Sequence, residues 1–261
     1  MEFIITDSNK CKTFVTIFQN IKSFCESFNI MITDEKFYIQ SLDSSHVLVL
    51  EVSLNNDWFN SFNVKNNITL GINSSILNKI ISTWSPNLSI KFDIENPDSE
   101  KLNISFENML DKEIDNEYSK YFQIPLVDID TEHLCIPDTE YTADITISSS
   151  KFKKIIDELS IIGDTIQFTC NENMIRLDTT SLEGSMCLNI NIDEESEEYA
   201  IEENCELKSS YKIKYIKNIV VFQKLSSQTT IHISNDIPIQ IYHSIDDNSF
   251  IRFFLAPQID D

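Results

Sequence analysis

The chain has 261 residues and 30.2 kDa, and its 20 Lys+Arg stand against 42 Asp+Glu, a formal net charge of -22. With 41% hydrophobic and 24% charged residues it has the composition of a folding chain, long enough for one large domain or two of ordinary size. Taken as an average, the charge argues against tight nucleic-acid binding, and having only three glycines (Gly71, Gly163, Gly184) excludes a glycine-rich phosphate loop or dinucleotide fingerprint.

Along the chain, Phe14, Ile17, Phe18, Ile21, Cys25 and Phe28 recur at helical spacing and predict a helix over Ser8 to Phe28. Alternation predicts strands over Phe37 to Leu42 and Val47 to Leu54. Ile76, Leu77, Ile80 and Ile81 predict a second helix within Ser74 to Ser85, and Leu88 to Ile94 reads as a strand. Ser119 to Pro137, with Ile124-Pro125 and Ile136-Pro137, reads as an extended connector. Beyond it, Phe152, Ile155, Ile156 and Leu159 predict a third helix over Ser149 to Gly163, with Ser149 or Ser150 as its N-cap. Met174 to Asp178 is a strand. Ile213, Ile216 and Val220 mark a fourth helix within Ser209 to Ser226, and strands follow at Thr229 to Ile233 and Ile237 to Tyr242.

The order helix, strands, helix, strands occurs twice, offset by roughly half the chain. The expected class is therefore α+β, two tandem domains of one topology, at 1–118 and 138–261, joined by a connector at 119–137. No apolar run reaches membrane-spanning length, and the N-terminus lacks a signal-peptide pattern. Six scattered cysteines without a Cys-x-x-Cys pair read as reduced thiols.

Charge is not evenly spread. The four helical segments hold eleven basic and three acidic residues, and the rest of the chain nine basic and 39 acidic. Lys12, Thr16, Gln19 and Ser23 fall opposite the apolar stripe of the first helix, and Asn78, Lys79 and Ser82 opposite that of the second. Lys153 and Lys154 flank the third, diluted by Asp157, and Lys214 and Lys217 flank the fourth. Lysines among Ser, Thr and Asn suit phosphate contact without base reading, and the lack of interleaved aromatics does not suit single-strand stacking.

Asp43-Ser44-Ser45-His46-Val47, Leu134-Cys135-Ile136-Pro137, Ile162-Gly163-Asp164 and Leu255-Ala256-Pro257-Gln258-Ile259-Asp260-Asp261 together resemble the proliferating cell nuclear antigen (PCNA) family, the eukaryotic-type DNA sliding clamps. The resemblance runs from about Phe3 to the last residue. It implies a non-enzymatic, ring-forming homotrimer, with helices lining a channel and antiparallel sheets outside. Double-stranded DNA passes non-specifically through the ring. The implied partners are DNA polymerase, a clamp loader and other proteins with PCNA-interacting peptides, with no membrane, metal or cofactor. The DNA-facing positions are then Lys10, Lys12, Lys22, Lys79, Lys153, Lys154, Lys214 and Lys217. The partner-peptide pocket is Leu42, His46, Val47, Val49, Leu134, Ile136, Pro238, Phe254, Ala256, Pro257 and Ile259. Ring closure pairs Glu117 to Pro125 with Glu183 to Asn191 of the next copy. Nuclear location follows, or a viral replication site, since the Asn- and Ile-rich composition fits the AT-rich genome of a protist or a large DNA virus.

Several positions depart from the family pattern. Glu172 stands where relatives carry a modified lysine, Asp157 and Ile161 where they often carry basic residues, Phe254 where they carry Tyr, and Gln258 where they carry Lys. Lys212 and Lys217 are the compensating charges. Asp43, Ser44, Ser45 and His46 are four consecutive loop residues, which do not make a catalytic triad. The acidic run Asp193 to Glu198 reads as a solvated loop. Two other readings stay open: a subunit of a heterotrimeric checkpoint-type clamp, and an acidic DNA-mimic binding protein.

Overall fold

The computed structural model describes residues 1–96, 99–108, 118–130, 133–190, 192 and 198–258. The chain forms two units: Met1–Ser44, Glu51–Leu134 and Asp247–Ser249 make the first, and Ser45–Leu50, Cys135–Asp246 and Phe250–Asp261 the second. Glu117, Asn191, Ile259, Asp260, Asp261 and the run 193–197, all singled out in the sequence, lie outside the described residues.

In the first unit β1 (Glu2–Ile5) leads into α1 (Ser8–Ile21). The carboxylate of Asp7 caps the helix, accepting from the N–H groups of Asn9 and Lys10 at 2.9 Å each. The helix stops well short of Phe28, because Ser27–Ile32 is a strand, β2, whose residues pair from Ser27↔Asn73 to Ile32↔Ile68. Sheet pairing overrides the helical period there, and Phe28 reaches the core by strand alternation instead. Then come β3 (Lys36–Leu42), β4 (Leu48–Asn55, whose Leu48–Leu50 are counted with the second unit), β5 (Ser61–Asn63) and β6 (Ile68–Asn73). Helix α2 (Ser74–Ile81) is capped by Asn73, whose side chain accepts from the Ile76 N–H at 3.0 Å. The unit closes with β7 (Leu88–Asp93), β8 (Lys101–Asn108) and β9 (Lys120–Pro125).

Strand β9 corrects the expected start of the connector: Lys120 to Pro125 pair with β8 from Phe106↔Lys120 to Lys101↔Pro125. Its proline is tolerated because β9 ends the sheet β5-β1-β7-β8-β9. The unit also holds the run β4-β3-β2-β6. Phe3, Phe14, Phe37 and Phe92 meet at the centre of its core, with Phe3 stacked on Phe92 at 4.9 Å and edge-on to Phe37 at 5.6 Å. Such contacts add about 1 kcal/mol each beyond area burial.

The second unit repeats the order. It runs β10 (Ala143–Ser148), α3 (Ser149–Ile162), β11 (Thr165–Asn171), β12 (Met174–Thr180), β13 (Ser185–Ile190), β14 (Glu198–Ile201) and β15 (Leu207–Lys212). Helix α4 (Ile213–Val220), a 3-10 turn (Val221–Lys224), β16 (Gln228–Ile233), β17 (Ile239–Ser244) and β18 (Phe250–Leu255) follow. Ser209 to Lys212 are therefore strand, not the start of the fourth helix, because Leu207, Ser209 and Tyr211 alternate into the core and Tyr211 pairs with Ile166. Strand β17 starts at Ile239, after Pro238, which has no N–H to donate. Neither Ser148 nor Lys212, the cap residues of α3 and α4, makes a side-chain cap bond. One run is β13-β12-β11-β15, and another is β14-β10-β16-β17-β18. Within each unit the two helices pack side by side, α1 with α2 and α3 with α4.

Candidate functional site

With the helix boundaries observed, α1 to α4 carry Lys10, Lys12, Lys79, Lys151, Lys153, Lys154, Lys214 and Lys217 against Asp157 and Glu158, with Lys22 at the C-cap of α1. The segregation of charge therefore survives the corrected boundaries. Its quality differs between units. Lys12, Lys22 and Lys79 are exposed, and among the described residues no acid pairs with them. Lys10 is half-buried, with its ammonium donating to the Trp58 carbonyl at 2.6 Å and lying 5.7 Å from the indole ring centre. It is held by its own unit.

On α3, Lys153 is hydrogen-bonded to Asp157 one turn on, and Lys154 lies 3.8 Å from Glu158. Ile161 is 79% exposed on the same helix. Lys217 donates to the Ser160 hydroxyl at 3.1 Å, and Lys214 lies over the Tyr215 ring at 4.6 Å. Lys153 and Lys154 of α3 thus present ion pairs to solvent, whereas Lys12 of α1 and Lys79 of α2 present their charge without an acidic partner among the described residues. Lys212 projects from the end of β15 and donates to the Thr165 hydroxyl at 3.3 Å.

The residues expected to receive a peptide divide between the units. Leu42 (half-buried) and Leu134 (exposed) belong to the first, where Gln40 grips Leu134. Its Nε2 donates to the Leu134 carbonyl at 3.0 Å, and its Oε1 accepts from the Leu134 N–H at 2.8 Å. His46, Val47, Val49, Ile136, Pro238, Phe254, Ala256 and Pro257 belong to the second. There the Ala256 N–H donates to the Val47 carbonyl at 2.9 Å, and the Gln258 N–H to the Ser210 carbonyl at 2.7 Å. Phe254 is only 8% exposed and serves as a wall behind Arg252, which lies 5.2 Å from its ring.

A hollow of about 740 Å3 borders Pro238, Ala256, Pro257 and Gln258, and also Ser209, Ser210 and Asp236. The last three were missed in the sequence because they look like ordinary turn and strand polar residues. His46 and Asp236 take positive φ values of 59° and 63°, left-handed positions that non-glycine residues enter at some cost.

Of the consecutive Asp43 to His46, the aspartate is buried and the histidine exposed. Among the described residues no three His, Cys, Asp or Glu side chains converge as metal ligands. Burial pushes the thiols of Cys11 and Cys170 up to about 12, which keeps them protonated and inert. No helix among the described residues is long and apolar enough to cross a membrane. Among the strands that end their sheets are β9 and β13. Exposed apolar side chains sit on or beside them: Tyr118 and Tyr121, each 72% exposed, and the fully exposed Leu182.

Comparison with known proteins gives two family matches in tandem. The model described as proliferating cell nuclear antigen, N-terminal domain, matches residues 7–133, and its C-terminal counterpart matches 135–258. A curated relative, "Proliferating cell nuclear antigen" of Chaetomium thermophilum, is 28% identical over 246 residues, covering 92% of each chain.

Proposed function

Because the chain belongs to the proliferating cell nuclear antigen family, the non-enzymatic DNA sliding clamps, we propose that Lys12, Lys22 and Lys79 are its main DNA contacts. As a sliding clamp it encircles duplex DNA as a trimeric ring and tethers polymerase and other enzymes that carry clamp-binding peptides. Lys10, Lys153, Lys154, Lys214 and Lys217 complete the lining as weaker contributors, since each already has a partner in its own unit. The observation that carries this reading is the concentration of lysine on four helices of a chain whose net charge is -22. Charges beyond about 8 Å are screened at physiological salt, so lysines lining a channel attract phosphate locally while outer acids repel DNA elsewhere.

Ring closure uses the open edges, β9 of one copy against β13 of the next. Two unpaired edges then satisfy each other's N–H and C=O groups, and the exposed tyrosines gain cover. The residues proposed to meet a one-turn helix with aromatic anchors are Leu42 and Leu134 of the first unit and His46, Val47, Val49, Ile136, Pro238, Phe254, Ala256 and Pro257 of the second, with Ile259 outside the described residues. The working place is the nucleus, or a viral replication site for a viral source. A checkpoint-type subunit and an acidic mimic are not favoured; a mimic has no use for cationic helices.

Light scattering of the purified chain at micromolar concentration, together with a processivity assay using clamp loaded onto primed circular DNA, tests this. The expected results are a trimer and longer products. A monomer at every concentration together with no stimulation overturns the reading.

A further inference from the structure

The connector after β9 is not a free strap. Within the first unit it is tied at three points, and the three anchoring residues form one row across the sheet. Asn29 of β2 is in register with Gly71 of β6 on one side and with Gln40 of β3 on the other. The Val127 N–H donates to the Gly71 carbonyl at 2.9 Å. The Asn29 side chain donates to the Ile129 carbonyl at 3.1 Å. Gln40 holds Leu134 by both backbone groups, at 3.0 and 2.8 Å.

The reach of the anchors is graded. At Gly71 there is no side chain, and a Cβ there would come within 1.9 Å of the Val127 oxygen, so backbone meets backbone. Asn29 reaches with a single methylene and Gln40 with two. Backbone therefore meets the connector at β6, and progressively longer side chains meet it at β2 and β3.

The carboxamide of Gln40 is itself fixed. Its Nε2 also donates to the Tyr38 hydroxyl at 3.2 Å, and that hydroxyl is hydrogen-bonded to the buried Glu51. The Tyr38 ring stacks on His133 at 5.5 Å, next to the held leucine. Tyr38, Gln40 and Leu42 alternate onto one face of β3, so the grip on Leu134 is built beside Leu42.

We propose that the row Gly71–Asn29–Gln40 sets the height of the connector above the sheet, and that Gln40 is a positioning residue that presents Leu134 to the docked peptide. This rests on the docking reading above and adds which residue makes the surface ready before the peptide arrives. A pinned Leu134 has already lost its backbone freedom, so less ordering cost falls on binding.

The test uses the full-length chain and a fluorescein-labelled synthetic peptide that presents two adjacent phenylalanines on one helical turn. Gln40→Ala weakens its binding about tenfold, and Gln40→Glu, which keeps only the acceptor, loses less. Amide hydrogen exchange at Leu134 accelerates in Gln40→Ala and less in Gln40→Glu, while melting temperature stays close to that of the unmodified chain. In a Leu134→Ala background, Gln40→Ala costs little more, because its effect passes through Leu134. Unchanged exchange at Leu134 in Gln40→Ala overturns the proposal, and so does a full tenfold loss that persists without the leucine. If the unmodified chain does not bind the peptide, the docking reading fails, and the exchange measurement still decides whether the row holds the connector.

Discussion

His243 is 1% exposed on β17, its Nδ1 lies 3.3 Å from the Thr229 hydroxyl, and that hydroxyl in turn is 2.8 Å from the Ser149 hydroxyl at the start of α3. Among the described residues its Nε2 has no hydrogen-bond partner. Burial disfavours the imidazolium and lowers the pKa from 6.5 to about 4. An unfolded chain therefore binds this proton at a higher pH than the folded one. The contribution of the neutral histidine is complete above pH 6.5 and drains away as pH falls toward 4. Unfolding free energies from urea titrations should decline across that window by an amount on the order of 3 kcal/mol, and His243→Gln should flatten the decline. The carboxylates of Glu2, beside Lys91, and Asp178, beside Arg176, are held below their ordinary range and act only at more acidic pH. Gly163 gives a second residue-scale prediction. A Cβ there would come within 2.3 Å of the buried Thr179 hydroxyl oxygen, so Gly163→Ala should lower stability by about 1–3 kcal/mol in thermal melts.

Among the elements, the four helices were legible because their buried stripes repeat at 3.6 residues, and the charge on their outer faces was legible with them. Their ends were not. At Ser27 and at Ser209, pairing with a distant strand decides the state, and no local period reports a partner that lies far along the chain. The same limit hid the Gly71–Asn29–Gln40 row, which exists only once β6, β2 and β3 are in register. The docking residues were readable from family motifs, but the residue that holds one of them was not. The helices also differ in how much of their charge is available. Lys12→Ala and Lys79→Ala should each weaken the salt-dependent association of the loaded clamp with DNA more than Lys153→Ala or Lys154→Ala, whose charges already pair with Asp157 and Glu158. Conversely, Asp157→Asn frees Lys153 and should strengthen that association a few-fold. Salt titrations of sliding or loading rates read both. On the edge strand β9, Tyr121→Asp leaves an exposed position exposed in the monomer, yet it puts a charge into the proposed junction. Sedimentation velocity should then show trimer giving way to monomer.

For the whole molecule, a net charge of -22 describes no actual surface: it is the sum of a cationic minority on helices and an acidic majority elsewhere. Binding to DNA then depends on topology. Linearising a plasmid should release the clamp from its open ends, while nicked circles retain it, and adding free DNA as competitor should matter little. A further consequence follows from how the units are composed. The first takes in Asp247–Ser249, where the buried Ser249 hydroxyl accepts from the Asn55 N–H at 3.1 Å, and the second takes in Ser45–Leu50. Each unit therefore lacks a piece of itself when the chain is cut between Leu134 and Cys135. A ribosome that has delivered the first half has not delivered the residues that finish it. Genes encoding the two halves should therefore yield folded product when expressed together and little when expressed apart.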